Sequence, residues 1–145
     1  MRAGEKCLVI GSGLSGISAV ACLEYMKAEV TLYDSNEKLT QEDLRALLPT
    51  GSGAACVAGK LPEEVLGQVE TVVLSPGVPT DIPLVDCLRQ NGAEIIGEIE
   101  LGFLQEKGRV AAITGTNGKT TTTTLVGEIM KAHLGREKVF VVGNI

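Results

Sequence analysis

A lysine and several hydroxyl side chains follow closely spaced glycines between residues 115 and 121, and this combination suits phosphate chemistry. Phosphate oxygens need convergent N–H donors, and glycines let the backbone bend around them without an obstructing Cβ atom. Lys119 can reach the β and γ oxygens of a nucleotide as a mobile charge, and the Thr120 hydroxyl can ligate Mg²⁺. We therefore assign nucleotide phosphate binding to Gly115, Thr116, Asn117, Gly118, Lys119, Thr120 and Thr121.

The flanking residues must position this loop. The apolar run 110–113 predicts a strand before it, and residues 121–130 predict a helix after it, so that the helix N-terminus faces the anion. A further strand is predicted at 138–142. The usual phosphate-loop pattern has a glycine five places before Gly118, where this chain has Ile113, so the loop is a shortened variant. The alternative is a glycine-rich turn without a ligand, but a Gly-Lys-Thr triplet directly after an apolar strand favours phosphate binding.

A second glycine motif, GSGLSG at residues 11–16, lies near the start of the chain. An apolar strand is predicted before it, a helix at 17–26 after it, and a second strand at 29–33 that ends in Asp34. A GxGxxG motif alone is weak, but this order predicts a Rossmann-like unit that binds a phosphorylated nucleotide. The pattern does not say which nucleotide.

The intervening chain alternates short strands and helices, which predicts an α/β fold with a parallel sheet. The strand predicted at 71–74 runs into the turn Ser75-Pro76-Gly77, at the strand end where open α/β sheets bind ligands; loop punctuation is the alternative. Because one domain rarely needs two nucleotide loops, we expect a complete domain at 1–97 and the opening of a second at 98–145. A phosphate-loop domain needs further strands, so we expect the chain to be a fragment.

The composition of the chain limits the classes of partner that it is expected to bind. The net charge is −5 and aromatic residues make up 3% of the chain, so we expect no nucleic-acid binding. We expect no membrane association either, because no apolar run approaches the roughly 20 residues that span a bilayer. The four cysteines have no metal-ligand spacing and His133 is the only histidine, so buried free thiols in a reducing cytoplasm are expected. The N-terminus does not resemble a signal peptide.

Together these motifs resemble the Mur ligase family. The passages that carry the resemblance are 11–16, Asp34-Ser35, 75–78, 115–121 and the terminal Gly143-Asn144-Ile145. The phosphate loop is also similar to that of folylpolyglutamate synthases, whereas the first loop and the Ser-Pro-Gly turn are similar to the D-glutamate-adding branch of the family. The resemblance implies a cytoplasmic step of peptidoglycan synthesis. ATP and Mg²⁺ would activate UDP-N-acetylmuramoyl-L-alanine as an acyl phosphate, which the amine of D-glutamate attacks.

The resemblance also implies residue roles. The first domain would bind UDP, with residues 13–16 at the pyrophosphate, Asp34 accepting the uracil N3–H and Ser35 donating to a uracil carbonyl. Lys119 would stabilise developing charge, and Asn144 would point at the substrate near the junction of the domains. The implied substrate contacts are Gly13, Leu14, Ser15, Gly16, Asp34, Ser35, Ser75, Pro76, Gly77 and Asn144. Relatives often have Arg two places after the acid, where this chain has Asn36.

Two other functions fit part of the sequence. Residues 1–34 alone also suit an NAD-responsive regulatory module or an NAD-dependent oxidoreductase. Either alternative leaves the loop at 115–121 without a purpose. We expect the chain to bind the UDP-containing ligand and to be inactive by itself.

Overall fold

The structure is a computed structural model that describes residues 2–143, and five parallel strands organise its first part. The strands are β1 (Lys6–Ile10), β2 (Glu29–Asp34), β3 (Ala55–Ala58), β4 (Thr71–Leu74) and β5 (Glu94–Gly97). They lie in the order β3-β2-β1-β4-β5, with β1 at the centre. After β3 the chain crosses to the other side of β1, so the sheet has a topological switch point between β1 and β4. The predicted Rossmann-like parallel sheet is confirmed.

Helices connect the strands and cover both faces of the sheet. They are α1 (Leu14–Tyr25), α2 (Gln41–Leu47), α3 (Glu63–Leu66), α4 (Pro83–Gln90) and α5 (Glu98–Gln105), and a later helix is α6 (Lys119–Leu134). The helix α2 begins with a capping box, in which the Thr40 hydroxyl accepts from the Asp43 N–H and the Asp43 carboxylate accepts from the Thr40 N–H. Reciprocal bonds of this kind satisfy backbone donors that a helix start leaves unpaired.

The central strand shows why the apolar runs become parallel strands. Cys7 and Val9 point to one face of the sheet and pack in the cluster that α1, α2 and α5 line. Leu8 and Ile10 point to the other face and pack against the cluster that includes residues of α4. A strand that is buried on both faces has a continuous apolar sequence rather than an alternating one.

The chain divides into two compact units, Met1–Glu106 and Lys107–Ile145. The helix α5, which the sequence suggested as the opening of the second domain, lies in the first unit. Its Leu101 is 2% exposed and belongs to the same core cluster as Leu23 of α1. This division by contacts falls later in the chain than the domain boundary predicted after residue 97, and that boundary stays a prediction.

Two predicted strands of the second unit are wrong. Residues 110–113 are assigned to neither strand nor helix. In the strand predicted at 138–142, Lys138 ends a short 3₁₀ helix that spans 136–138, and residues 139–142 are assigned to neither strand nor helix. Strands exist through hydrogen bonds to neighbouring strands, so an apolar run without a partner strand does not become one. The helix predicted at 121–130 is longer than expected and runs from Lys119 to Leu134, ending at Gly135.

The cysteines follow the predicted pattern only in part. All four are free thiols, and Cys7 and Cys56 are buried, but Cys87 is exposed. Cys87 lies on α4 between Val85 and Leu88, which face the core, so the helical repeat turns the cysteine outwards.

Candidate functional site

The first glycine loop joins β1 to α1 in a turn that requires glycine. Gly11 has a φ of +104°, a conformation that side chains with a Cβ atom rarely adopt. A Cβ atom added to Gly16 would lie 1.9 Å from the Gly11 carbonyl oxygen. The first turn of α1 therefore packs directly on the loop backbone, as the dinucleotide-binding turn requires.

The start of α1 is open to an anion. Gly13 occupies the N-cap position, and no side chain in the described residues 2–143 caps this end. Leu14 is 83% exposed, whereas Ser15 is half-buried. Uncapped amides and the positive end of the helix dipole make such a terminus suitable for phosphate.

The turn after β4 braces the same loop. Ser75 is buried, its hydroxyl donates to the Gly11 carbonyl at 3.3 Å, and its N–H donates to the Ile10 carbonyl at 3.0 Å. The Ser75 hydroxyl therefore faces the protein backbone in this structure. Pro76 and Gly77 are exposed beside it.

Asp34 lies at the carboxyl end of β2 and turns towards the glycine loop. Its Oδ2 atom accepts hydrogen bonds from the Ser12 N–H at 3.0 Å and from the Ser12 hydroxyl at 2.5 Å. Its Oδ1 atom accepts from the Asn36 N–H at 3.0 Å. Partial burial acts to raise the pKa of Asp34, but these three hydrogen bonds outweigh it, and the pKa is lowered. The carboxylate is therefore charged at neutral pH.

The sheet thus brings most of the predicted substrate residues to one edge. The ends of β1, β2 and β4 carry Gly13, Leu14, Ser15, Gly16, Asp34, Ser35, Ser75, Pro76 and Gly77. Ser35 and Asn36 are exposed next to Asp34. Asn144, the remaining predicted contact, lies outside the described residues.

Two cavities adjoin the sheet at opposite edges. One of about 410 Å³ begins at Ser75, Pro76 and Val78 and continues along β5 to Glu98. A larger one of about 590 Å³ opens near Lys6 and Glu29, where β1 and β2 begin. Parallel α/β sheets bind ligands at the carboxyl ends of their strands. The smaller cavity lies at those ends, beside the candidate site, whereas the larger cavity lies at the amino ends of the strands.

The second glycine loop lies in the second unit, before α6. Gly118 is the N-cap residue of α6 and has a left-handed φ of +74°, and no side chain in the described part of the chain caps this helix. The Lys119 ammonium donates to the Gly115 carbonyl at 2.5 Å and reaches the Thr116 carbonyl at 3.5 Å. Residues 114–120 are exposed, including Asn117 and Thr120. The loop thus presents an open helix N-terminus with a lysine folded back over it.

Residues 2–143 contain neither a membrane-spanning helix nor a metal-binding cluster. No helix among them combines the length and the apolar character needed to cross a membrane. Their histidine, cysteine and acidic side chains also form no group of three or more that could hold a metal ion.

Comparisons with known proteins decide the family. The model of the Mur ligase MurD-like N-terminal domain matches residues 5–97. The chain belongs to the MurD-like Mur ligases. Two similar relatives, from Lachnoclostridium phytofermentans and Lachnospira eligens, are both called UDP-N-acetylmuramoylalanine–D-glutamate ligase. The first is 50% identical over 98% of this chain, and the second is 46% identical over 97% of it.

The match covers only part of each relative. The chain spans 31% of the length of both of these MurD-like ligases. Among solved structures, a pseudomurein peptide ligase type C from Methanothermus fervidus is similar, with a TM-score of 0.56 and 26% identity. That alignment covers 88% of this chain and 26% of the solved one.

Sequence reasoning missed Ser12, the residue that holds Asp34. The second position of a GxGxxG motif is variable, so the motif gave it no role. A signal was nevertheless present: Ser12 lies two residues after Ile10, where one parallel strand ends, and Asp34 ends the neighbouring strand, in which Tyr33 pairs with Ile10. A hydroxyl and a carboxylate at adjacent strand ends are within reach of a hydrogen bond.

Proposed function

We propose that this chain forms the N-terminal part of a ligase that joins D-glutamate to UDP-N-acetylmuramoyl-L-alanine in peptidoglycan synthesis. The observation that carries the proposal is the 50% identity to a relative of that name over 98% of the chain. The proposal includes ATP as the energy source, Mg²⁺ as its counterion and the cytoplasm as the location.

In this proposal the first unit binds the UDP part of the substrate. The open N-terminus of α1, with residues 13–16, suits the negative diphosphate. Asp34 accepts the uracil N3–H, and the exposed Ser35 hydroxyl donates to a uracil carbonyl. Pro76 and Gly77 line the pocket, and Ser75 supports it from behind through the Gly11 carbonyl. The charged state of Asp34 favours the uracil contact, because a carboxylate is a stronger acceptor than a carboxylic acid.

The second unit would begin a P-loop ATP-binding domain. Its residues fit a nucleotide phosphate, because the left-handed Gly118 places an uncapped helix start at an exposed loop. Residues 115–121 would hold the ATP phosphates, and the Thr120 hydroxyl would ligate Mg²⁺. ATP supplies the phosphoryl group that turns a poor acylating agent, the substrate carboxylate, into a reactive one.

The chain's own contribution to this chemistry is electrostatic. Lys119 would leave the loop carbonyls that it contacts here and stabilise the negative charge on the phosphate oxygens. Asn144 would orient the substrate, and we propose this role from the family resemblance alone. The amine that attacks the activated carboxyl carbon belongs to D-glutamate.

A titration tests the substrate assignment. Isothermal calorimetry on the 145-residue chain should show binding of UDP-N-acetylmuramoyl-L-alanine and of UMP, and much weaker binding of NAD⁺. Asp34→Ala should weaken both uridine ligands about tenfold or more, the size expected for a hydrogen bond to a charged group. The matched control is Asp81→Ala, an exposed acid beyond the Ser-Pro-Gly turn, which should leave affinity unchanged. A preference for NAD⁺ would remove the proposal.

A further inference from the structure

The Asp34 carboxylate is already occupied by the chain in a way that restricts what a ligand can do with it. Oδ2 accepts from both the N–H and the hydroxyl of Ser12, at 3.0 and 2.5 Å. Oδ1 accepts from the Asn36 N–H at 3.0 Å. An ionised carboxylate has about four acceptor positions, two on each oxygen. The protein therefore fills Oδ2 and leaves Oδ1 with room for one further donor.

The number of free acceptor positions on Asp34 favours one kind of nucleotide over another. An acid at the end of the second strand in NAD-binding Rossmann folds accepts from the ribose 2′-OH. The vicinal diol of that ribose offers two donors, so the carboxylate can bind both only where two acceptor positions are free. A uracil ring offers a single N–H donor at N3, which needs only one. The single remaining position on Asp34 satisfies the uracil N–H but only one of the two ribose hydroxyls.

We propose that Ser12 determines nucleotide specificity: its hydroxyl and N–H hold Oδ2 of Asp34, so that the carboxylate accepts one base N–H fully but cannot accept both hydroxyls of a ribose diol. This inference rests on the proposed function, because it concerns how the same site selects its nucleotide. Ser12 is a positioning residue in this account. It acts on the ligand through Asp34.

In the surroundings of Asp34, the hydrogen bonds from Ser12 and from the Asn36 N–H keep its carboxylate charged. The glycine loop at 11–16 and the turn at 75–80 contain no titratable side chain. The titratable residues on the neighbouring strand ends are Tyr33, Glu37, Lys38 and Lys60. The Tyr33 hydroxyl donates to the Gly59 carbonyl, and the other three are exposed. Hydrogen bonds from Ser12 and Asn36 are the interactions that lower the pKa of Asp34.

The experiment uses the 145-residue chain and two substitutions, Ser12→Ala and Ser12→Thr. Calorimetry with UDP and with NAD⁺ gives the ratio of the two affinities for each variant. We expect Ser12→Ala to reduce the wild-type preference for UDP about tenfold, because loss of the hydroxyl frees one acceptor position on Oδ2 for a second ribose hydroxyl. Ser12→Thr keeps the hydroxyl and should keep the preference. Far-UV circular dichroism verifies that both variants are folded.

The pH dependence of UDP affinity distinguishes the effect of Ser12 on Asp34 from a purely structural role of Ser12 in the glycine loop. A charged Asp34 is the stronger acceptor, so UDP binding weakens as the pH falls through its folded pKa. Removing the Ser12 hydroxyl raises that pKa, and the midpoint of the loss should move upwards by about one pH unit in Ser12→Ala and stay in Ser12→Thr. The carboxyl carbon resonance of Asp34, followed by NMR without any ligand, should show the same displacement.

Failure of the proposed function and failure of the role of Ser12 give different results. Wild-type chain that binds no UDP would contradict the proposed function. Wild-type chain that binds UDP, together with an unchanged affinity ratio and an unchanged Asp34 titration in Ser12→Ala, would overturn only the role of Ser12. Equal losses in Ser12→Ala and Ser12→Thr would also overturn it, because the hydroxyl would then not be the deciding group.

Discussion

Gly16→Ala tests whether the first glycine loop depends on direct backbone contact. The new Cβ atom would lie 1.9 Å from the Gly11 carbonyl oxygen and 3.0 Å from the Ser75 hydroxyl oxygen. A carbon and an oxygen normally approach to about 3.3 Å, so the loop or the helix must move by roughly 1.4 Å. Such a movement separates α1 from the loop and disturbs the contact between Gly11 and Ser75.

The expected cost follows from two opposing effects. Forced overpacking costs up to about 3 kcal/mol where side chains can adjust, and here the obstructing atom belongs to the backbone. Alanine gains about 1 kcal/mol over glycine in a helix interior. We therefore expect the free energy of unfolding to fall by about 2 kcal/mol or more, with a parallel loss of UDP binding.

Gly13→Ala is the matched control. Gly13 has a φ of −71°, and an added Cβ atom would meet nothing within 4 Å. We expect it to change the free energy of unfolding by about 0.5 kcal/mol, the size of an altered N-cap. Urea titration followed by far-UV circular dichroism measures the free energy of unfolding of both variants. Hydrogen exchange of the backbone amides of residues 7–10 shows whether the change in stability belongs to the first unit. Equal effects of the two substitutions would refute the steric argument.

Two further predictions concern other parts of the first unit. N-ethylmaleimide at pH 7.5 should modify the exposed Cys87 first and leave Cys7 unmodified. Burial, together with the nearby acids Glu5 and Glu70, raises the pKa of the Cys7 thiol to about 11, so little of the reactive thiolate is present. Peptide mass spectrometry measures the two labelling rates, and equal rates would contradict this expectation. Thr40→Ala should lower the free energy of unfolding by about 1 kcal/mol through loss of the α2 cap, and Thr40→Ser should restore it in urea titrations. An Ala variant as stable as the Ser variant would argue against the cap.

The sheet could be predicted from sequence because its signals are local. The apolar runs at 6–10 and 71–74 are bounded by turn residues, and burial on both faces explains their composition. The run at 110–113 carries the same local signal but forms no strand. Strand formation depends on partners elsewhere in the chain, which a local pattern does not contain.

The candidate site could be predicted in position but not in detail. The order of β1, β2 and β4 brings the glycine loop, Asp34 and the Ser-Pro-Gly turn to one edge, as the motif spacing indicated. The partners of individual polar groups depend on rotamers and register. The Ser75 hydroxyl turned out to contact Gly11, and Asp34 turned out to be held by Ser12.

The central claim is that the edge formed by residues 11–16, 34–36 and 75–77 binds a uridine nucleotide. The most direct measurement is a ¹⁵N–¹H NMR titration of the 145-residue chain with UDP-N-acetylmuramoyl-L-alanine and, separately, with NAD⁺. We expect the muramoyl nucleotide to shift the amide resonances of these three segments with saturation, and NAD⁺ at equal concentration to leave them unchanged. Saturable shifts there with NAD⁺, and none with the muramoyl nucleotide, would contradict the central claim.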